Sequence, residues 1–401
     1  MSELRAVQSI SELRAFDHQP RTRIVFGVDS IARIGTLARE IGAQKILLVT
    51  DPGIVAAGHA AKVEGHLAAD GLKVSVFDKA RENPTSRCVD DCVAVAKAAG
   101  IDTIIGLGGG SSMDTAKGCN FVLTNGGRMQ DYWGVGKAKQ SMLPFIAVPT
   151  TAGTGSECQS AALIVDEQTH QKMACLDSKA TARIAILDPA LTLSQPPRVT
   201  ALTGLDALAH ALETAVTTKR NSLSAIFSGE SFKLCSIGLA EVLKRPEDIN
   251  ARGRMLLGAS LAGLAIENSM LGAVHAAANP LAAHYGLVHG LAVGMMLPAV
   301  VRFNAGQPET RSLYAGLVGF ENNGSGNAAE LTEKLVKNID DLLNLAGIPG
   351  SLADCGVERA KIPVLAEEAV KQWTASFNPR PVQKEDFVKL YEEAFQPRAK
   401  H

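Results

Sequence analysis

The sequence lacks an excess of charge of either sign. Its 40 Lys and Arg residues nearly balance 41 Asp and Glu residues, and the formal net charge at pH 7 is −1. Long-range attraction to nucleic acid or to an anionic membrane surface requires a clear positive excess. We therefore expect neither nucleic acid nor a membrane as a partner of this chain.

Long uninterrupted apolar runs are also missing. The apolar segments between Met255 and Val301 are broken by Glu267, Asn268 and several histidines, so they predict buried helices rather than membrane spans. The opening residues, MSELRAVQSISELRAFDHQ, contain no apolar core of signal-peptide length. The 7 cysteines, an odd number without framework spacing, predict reduced thiols and a cytoplasmic protein.

What the sequence does have is enough apolar material for two domains. The chain has 401 residues, of which 46% are hydrophobic, and its pattern changes at Pro196. Before that point, β-rich runs alternate with Ala-rich helical patterns, which predicts a largely parallel sheet with helices on both faces. After it, the pattern is helical throughout. We expect an α/β domain over residues 1–193 and an all-helical domain over residues 194–401.

The hydrophobic periodicity also predicts individual elements. In the first part the strands are Arg23–Gly27, Lys45–Asp51, Lys73–Asp78, the run before Gly106 and Pro144–Thr151, and the helices are Ile31–Gly42, Ala56–Asp70 and Cys88–Gly100. In the second part the helices are Val199–Thr217, Ala225–Leu243, Arg254–Glu267, Leu271–Tyr285, Leu291–Phe303, Ala328–Leu345 and Val364–Thr374, with a surface loop at Glu321–Asn327.

A glycine-rich turn, GLGGGS at Gly106–Ser111, follows a predicted strand and opens a helix. Glycines let a ligand approach the backbone closely, and a helix N-terminus offers N–H groups and a partial positive charge to a phosphate. The pattern is not the usual G-x-G-x-x-G fingerprint. A candidate ribose-binding carboxylate, Asp51, precedes the turn, whereas an ordinary Rossmann unit has the reverse order.

Two further turns follow predicted strands. PTTAGTGSE, at Pro149–Glu157, carries hydroxyls and glycines that suit phosphate, ribose or nicotinamide, although a solvated polar loop explains it equally well. The segment Asn83-Pro84-Thr85 by itself predicts only a turn.

Histidines are concentrated in one apolar stretch, LGAVHAAANPLAAHYGLVHGLAVGMMLP, at Leu271–Pro298. Each histidine alone is better explained as a satisfied core group. Upstream, however, TGLDALAHALE places Asp206 and His210 one turn apart on a helix face. One carboxylate and several imidazoles form the ligand set that a borderline divalent metal prefers. We predict a metal site formed by Asp206, His210, His275 and His289.

Taken together, these motifs resemble those of the iron-containing (group III) alcohol dehydrogenases. The resemblance covers nearly the whole chain from Arg23. The matching segments are FGVDSI (Phe26–Ile31), NPT (Asn83–Thr85), GLGGGSSMDTAK (Gly106–Lys117), PTTAGTGSE (Pro149–Glu157), DPALT (Asp188–Thr192), TGLDALAHALE (Thr203–Glu213), HGLA with the following LP (His289–Pro298), and the tail NPRPVQKEDFVKLYEEAF.

The resemblance implies a dehydroquinate synthase-like fold, in which a Rossmann-like nucleotide domain precedes a helical metal domain, with catalysis in the cleft between them and a dimeric assembly. It carries the metal ligands onto the same four residues. It carries NAD binding onto Asp51, Asn83, Gly108, Gly109, Gly110, Ser111, Asp114, Thr150, Thr151, Thr154, Lys172 and Leu191. Because Asp51 would bond the ribose hydroxyls and repel a 2′-phosphate, we expect NAD rather than NADP.

The sequence departs from the family pattern at Asn279. Members commonly carry a further histidine there, four residues after the third metal ligand, near substrate and nicotinamide. We therefore expect no histidine-mediated proton path at this position. His284, five residues further on, is a candidate substitute, and a core or pocket-wall role is the competing interpretation.

The activity implied is reversible hydride transfer between NAD(H) and an alcohol or a carbonyl compound, with a divalent metal as Lewis acid. Iron is the family's usual metal, and the same ligands suit zinc. One alternative is a dehydroquinate synthase-like lyase, which needs a cationic pocket, but residues 268–290 contain no Lys or Arg. Another is a non-catalytic metal- or nucleotide-binding protein, which leaves the coincidence of these motifs unexplained.

Overall fold

The chain divides into two compact units in a computed structural model that describes residues 14–319 and 327–398. One unit comprises Pro20–Ala207 and Leu234–Gly263, and the other holds the remaining described residues. The boundary falls inside helices, because long helices run from one unit into the other.

The first unit is built on a six-stranded sheet with the order β1-β9-β6-β4-β2-β3, in which all neighbouring strands are parallel. The strands are β1 (Arg23–Phe26), β2 (Lys45–Val49), β3 (Lys73–Phe77), β4 (Thr103–Gly108), β6 (Phe145–Pro149) and β9 (Ile184–Leu187). The predicted parallel sheet is confirmed. Strand β9, which pairs with both β1 and β6, was not among the predicted strands.

The sheet is buried on both faces. Along β2, the side chains of Ile46 and Leu48 join one apolar cluster, while those of Leu47 and Val49 join another. Successive side chains of a strand point to opposite faces, so a fully apolar run is what a sheet covered on both sides requires. This is why KILLV has no polar alternation.

Helices α1 (Ile34–Glu40), α2 (Pro52–Ala56), α3 (His59–Ala69), α4 (Ser86–Ala99) and α5 (Gly110–Asn125) connect these strands. One predicted helix is divided in the structure, and another begins later than predicted. Residues Ser30–Arg33 form a 3₁₀ turn before α1, and a left-handed conformation at Gly58 separates α2 from α3. The helix predicted at Ala56–Asp70 therefore begins at His59, and α2, most of which precedes the predicted helix, was not predicted.

A second, smaller sheet has the order β5-β8-β7, with β5 at Gly134–Val135, β7 at Ala161–Val165 and β8 at Lys172–Leu176. Strands β7 and β8 form an antiparallel hairpin. The side chain of Asp166 closes its turn by accepting hydrogen bonds from the backbone N–H groups of Gln168 and Thr169, at 2.8 and 2.9 Å. The hairpin was not predicted.

From Pro197 onward, the described residues contain helices, turns and loops and no strand, as predicted. The helices are α6 (Pro197–Val216), α7 (Ser222–Lys244), α8 (Ile249–Glu267), α9 (Ala273–Tyr285), α10 (His289–Ala305), α11 (Pro308–Gly319), α12 (Ala328–Leu345), α13 (Ile362–Ala369) and α14 (Lys384–Ala394). In the second unit, α9 packs against α10 and α13. None of the helices described has both the length and the apolar character needed to cross a membrane.

Several predicted boundaries in this part were wrong. Helix α10 begins at His289 rather than Leu291, α13 ends at Ala369, and α11 was missed. The predicted loop at Glu321–Asn327 lies outside the described residues except for Asn327, whose side chain caps α12. The opening residues, for which we predicted no signal segment, also lie mostly outside the described residues.

Candidate metal centre and cofactor site

Helices α6, α9 and α10 bring histidines together in the structure. The rings of His210 on α6 and His275 on α9 are stacked, with centroids 4.8 Å apart and planes inclined at 16°. His289, the first residue of α10, places its ring centroid 5.3 Å from that of His275. The three histidines predicted as metal ligands are therefore neighbours.

Asp206 lies one helical turn before His210 on α6. The side chains of Asp206, His210 and His275 are buried, and one potential ligand atom from each lies within 4.8 Å of the others. A carboxylate oxygen and imidazole nitrogens are the donors that Fe²⁺ or Zn²⁺ accepts. The chemistry of the donor set therefore fits a divalent transition metal.

Glu213 belongs to this cluster, although we did not predict it as a site residue. Its carboxylate oxygen Oε2 is hydrogen-bonded to Nδ1 of His275, and both side chains are buried. In the sequence, Glu213 lies three residues after His210 and seven after Asp206, which places all three on one face of α6. That spacing was a signal for its role.

Two further polar residues of α9, Asn279 in its middle and His284 near its C-terminus, have partners of their own. The amide nitrogen of Asn279 donates to Oε1 of Gln372 at 3.0 Å. Nε2 of His284 lies 2.9 Å from both carboxylate oxygens of Glu368, and the His284 side chain is 38% exposed. His284 thus forms a partly exposed hydrogen-bonded pair with Glu368, and its role as a substitute for a histidine at position 279 stays a prediction, as does a pocket-wall role.

In the first unit, a cavity of about 750 Å³ lies at the carboxyl ends of strands of the six-stranded sheet. Ligands of open parallel sheets bind at this edge. Five of the twelve predicted cofactor residues line the cavity: Asp51, Gly109, Ser111, Thr150 and Thr151. They follow β2, β4 and β6, which are adjacent in the sheet.

Asp51 is held by two hydrogen bonds. Its Oδ1 accepts from the backbone N–H of Ile54 at 3.1 Å, which caps α2, and its Oδ2 accepts from the Ser112 hydroxyl at 3.0 Å. Two cations, Lys79 and Arg81, also line the cavity. They follow β3 in the sequence, and their position next to a strand end was a signal that we did not use.

The loop PTTAGTGSE is packed against α8. A Cβ added to Gly155 would lie 2.7 Å from the carbonyl oxygen of Ala259, and one added to Gly263 would lie 2.3 Å from the carbonyl oxygen of Gly155. Separations this short are not compatible with a side chain at either position. The loop is therefore a packed element and not the solvated polar segment that the sequence also allowed.

A buried lysine connects this loop to α5, the helix that follows the glycine turn. The Lys117 ammonium group, on α5, has four oxygens within hydrogen-bond distance and shares its three N–H donors among them: the Ser156 carbonyl at 2.6 Å, the Ser156 hydroxyl at 2.9 Å, the Gln159 carbonyl at 2.8 Å and the Ala161 carbonyl at 3.0 Å. The Ser156 hydroxyl lies 3.2 Å from Oδ1 of Asp114. Burial raises the pKa of Asp114 to about 6, and Lys117 opposes the increase.

The other seven predicted cofactor residues are not among those that line this cavity: Asn83, Gly108, Gly110, Asp114, Thr154, Lys172 and Leu191. Lys172 donates to Oδ1 of Asn83 at 3.3 Å. The Leu191 side chain is buried in one of the two apolar clusters of the sheet. The assignment of these seven residues to the cofactor stays a prediction.

Comparisons with known proteins identify the family to which the chain belongs. The family model described as iron-containing alcohol dehydrogenase matches residues 20–189, and that of the C-terminal region of the same family matches residues 200–395. The NAD-dependent methanol dehydrogenase of Bacillus methanolicus is 34% identical over 371 residues, covering 92% of this chain and 97% of that protein. The 1,3-propanediol dehydrogenase of Klebsiella pneumoniae is 33% identical over 385 residues, covering 95% and 99%.

The fold matches as well. The crystal structure of a 1,3-propanediol oxidoreductase superposes with a TM-score of 0.91 at 32% identity, covering 95% of this chain and 100% of that one. The family consists of oxidoreductases of small alcohols and aldehydes, which use NAD and a divalent metal, typically iron. This supports an oxidoreductase and not the lyase alternative. The chain belongs to the iron-containing alcohol dehydrogenase family.

Proposed function

We propose that this oxidoreductase interconverts a short-chain alcohol and its aldehyde, with a divalent metal held by Asp206, His210, His275 and His289. The observation that carries the proposal is the buried group of Asp206, His210 and His275 on α6 and α9. A carboxylate oxygen and imidazole nitrogens held this close together are the donor set that a divalent transition metal prefers. Iron is the metal we favour, with zinc as the alternative.

When bound, NAD exchanges the hydride, and the metal acts as a Lewis acid toward the substrate oxygen. The chain's own part is to bind and orient. The N-terminus of α5 has backbone N–H groups that would bind the dinucleotide phosphates. Asp51 is already oriented by Ile54 and Ser112, and it would accept hydrogen bonds from the ribose hydroxyls and disfavour a 2′-phosphate. NAD is therefore the preferred cofactor.

We assign no proton transfer to position 279, because the amide of Asn279 does not titrate. Its hydrogen bond to Gln372 gives it a structural partner instead. Methanol and 1,3-propanediol, the substrates in the names of the two relatives described above, define the size class to examine first.

The broader assignments are also proposals. We propose functional domains at residues 1–193 and 194–401, a homodimer or higher homo-oligomer, and a cytoplasmic location. The 7 cysteines, an odd number without the spacing of a disulfide framework, support a reducing compartment.

The experiment that tests the function starts from chelator-treated protein. We expect this protein to oxidise no NADH with a panel of one- to three-carbon aldehydes, and to regain activity when Fe²⁺ or Zn²⁺ is added. Full activity in the metal-free preparation would contradict the proposal. Product formation without any net change in NADH absorbance would instead indicate a lyase.

A further inference from the structure

The buried carboxylate of Glu213 serves two sets of partners. Its Oε2 contacts Nδ1 of His275. Its Oε1 accepts hydrogen bonds from the backbone N–H groups of Gly272 at 3.0 Å and Val274 at 2.8 Å, with that of His275 at 3.4 Å. Only 4% of the Glu213 side chain is exposed, so water contributes little to its solvation.

The N-terminus of α9 stabilises the buried carboxylate of Glu213. The N–H groups of the first turn of a helix have no partner inside the helix and carry a partial positive charge. At α9, Glu213 accepts from Gly272 and Val274, and Oδ1 of Asn378 accepts from Ala273 at 3.2 Å. A Cβ at Gly272 would lie 3.0 Å from Asn378 Oδ1 and 3.3 Å from Glu213 Oε1, so a side chain there would crowd both acceptors.

The donors around Glu213 determine which ring nitrogen of His275 carries a proton. An ionised carboxylate only accepts hydrogen bonds, so the proton between Glu213 and His275 belongs to Nδ1. In the neutral imidazole the lone pair is then on Nε2, the nitrogen through which the ring can bind a metal. A carboxylate that orients a histidine in this way also raises its basicity as a ligand.

We propose that Glu213 is a positioning residue of the metal centre, which fixes the tautomer and the ring orientation of His275. The inference rests on the proposed metal site, because it assigns a role relative to one of its ligands. The competing explanation is that Glu213 only caps α9 and stabilises the fold, without any influence on the metal.

Glu213→Gln distinguishes the two explanations. If the glutamine oxygen accepts from the backbone N–H groups, its NH₂ group faces Nδ1 of His275. The ring must then carry its proton on Nε2, where the metal would bind. If the amide is reversed, the NH₂ group faces the N–H groups of Gly272 and Val274. Either arrangement weakens metal binding, although the size of the side chain is unchanged.

The measurement is the affinity for Zn²⁺ and for Co²⁺, determined by competition with a chelating dye, together with thermal unfolding of the metal-free proteins. We expect Glu213→Gln to lower both affinities by about 10- to 100-fold. The matched control is Glu368→Gln, because Glu368 pairs with the other histidine of α9, and its affinities should match the wild type. A second control is Asn378→Ala, which removes the acceptor for the N–H of Ala273 but keeps the carboxylate of Glu213, and should lower the affinities by less than about threefold.

Each outcome has a distinct meaning. Wild-type affinity in Glu213→Gln, or an equal loss in Asn378→Ala, would overturn the role of Glu213 and leave the metal site standing. If the wild-type chain binds neither ion, or His275→Ala binds both as tightly as the wild type, the proposed metal site itself fails.

A second measurement does not depend on whether Glu213→Gln folds. Long-range ¹H–¹⁵N spectra of the metal-free wild-type chain report the protonation of each histidine nitrogen, and His275→Ala identifies the signals of His275. We expect a proton on Nδ1 of His275. A neutral ring protonated only on Nε2 would contradict the proposal.

Discussion

The ammonium nitrogen of Lys117 lies 2.6 Å from the carbonyl oxygen of Ser156, and so joins the helix after the glycine turn to the loop after β6. The Lys117 side chain is 1% exposed, and three further oxygens from residues 156–161 surround its charge. A buried cation is stable when its hydrogen-bonding capacity is filled in this way. The lysine therefore fixes the spacing of two segments that supply cavity residues.

Lys117→Met should remove this connection. The substitution keeps the length of the side chain but leaves several buried oxygens without a donor, so we expect a loss of about 3–5 kcal/mol in the free energy of unfolding. Without Lys117, we expect the loop after β6 to shift. Because this loop carries the cavity residues Thr150 and Thr151, the dissociation constant of NADH should increase by at least about tenfold. Urea unfolding and fluorescence titration would measure the two effects. Lys97→Met, an exposed change on α4, is the control, and equal behaviour of the two variants would refute the role of Lys117.

Asp51→Asn should broaden cofactor use toward NADP. An asparagine retains an acceptor for the N–H of Ile54 and a partner for Ser112, while it removes the charge that repels a 2′-phosphate. Lys79 and Arg81 already line the cavity and can attract that phosphate. We expect the ratio of kcat/KM for NADPH to that for NADH to rise about tenfold or more, roughly 1.4 kcal/mol of changed interaction. A wild-type enzyme that prefers NADPH would show that Asp51 does not select the cofactor.

The titration of Asp114 should lower the free energy of unfolding as the pH rises. Its pKa is about 6 in the folded chain, compared with an ordinary value of 3.8, mainly because of burial. Between these values the folded protein holds a proton that the unfolded chain has lost, so rising pH lowers the free energy of unfolding. The contribution of Asp114 falls by about 1 kcal/mol from pH 5 to pH 7.

Asp114→Asn does not ionise and should lack this contribution. The free energy of unfolding of the wild type relative to the variant should therefore be about 1 kcal/mol lower at pH 7 than at pH 5. Urea midpoints of both proteins across this range provide the measurement, since contributions from other groups cancel. Parallel pH curves would show that the carboxyl does not titrate there.

His289→Ala should separate metal binding from folding. His289 begins α10 and is only partly buried, so its loss leaves the apolar core of that helix intact. We expect the thermal unfolding of the metal-free variant to stay close to that of the wild type. Retained metal should fall sharply and activity by at least about 100-fold. Metal analysis after gel filtration, combined with an NADH assay, tests this, and a variant with wild-type metal content would remove His289 from the ligand set.

The fold was predictable wherever one residue pattern had a single physical explanation. KILLV can be buried on both faces only within a covered parallel sheet, and the structure places it there. The hairpin of β7 and β8 was missed because its strands are short and its turn depends on the side chain of Asp166. Helix α11 was missed because its pattern of apolar residues is weak between two long helices.

The candidate site was predictable as a set of residue types, less so as a set of contacts. The spacing of Asp206 and His210 and the concentration of histidines anticipated the buried cluster. Helical spacing places Glu213 on the same face of α6 as His210, but its hydrogen bond to His275 joins residues 62 positions apart, and that contact cannot be predicted from local periodicity. In the same way, Lys79 and Arg81 reach the cavity only because β3 lies beside β2 in the sheet.

The close contact between Gly155 and Gly263 restricts which substitutions the loop Pro149–Glu157 can accept. A clash between two side chains is ordinarily relieved when one of them is replaced by a smaller residue. Both positions here are already glycine, so a larger residue at one cannot be accommodated by a smaller residue at the other. Libraries aimed at altered cofactor or substrate use are better concentrated on the hydroxyl positions Thr150, Thr151 and Thr154, with both glycines left unchanged. The loop can thus vary in chemistry while its path over α8 stays constant.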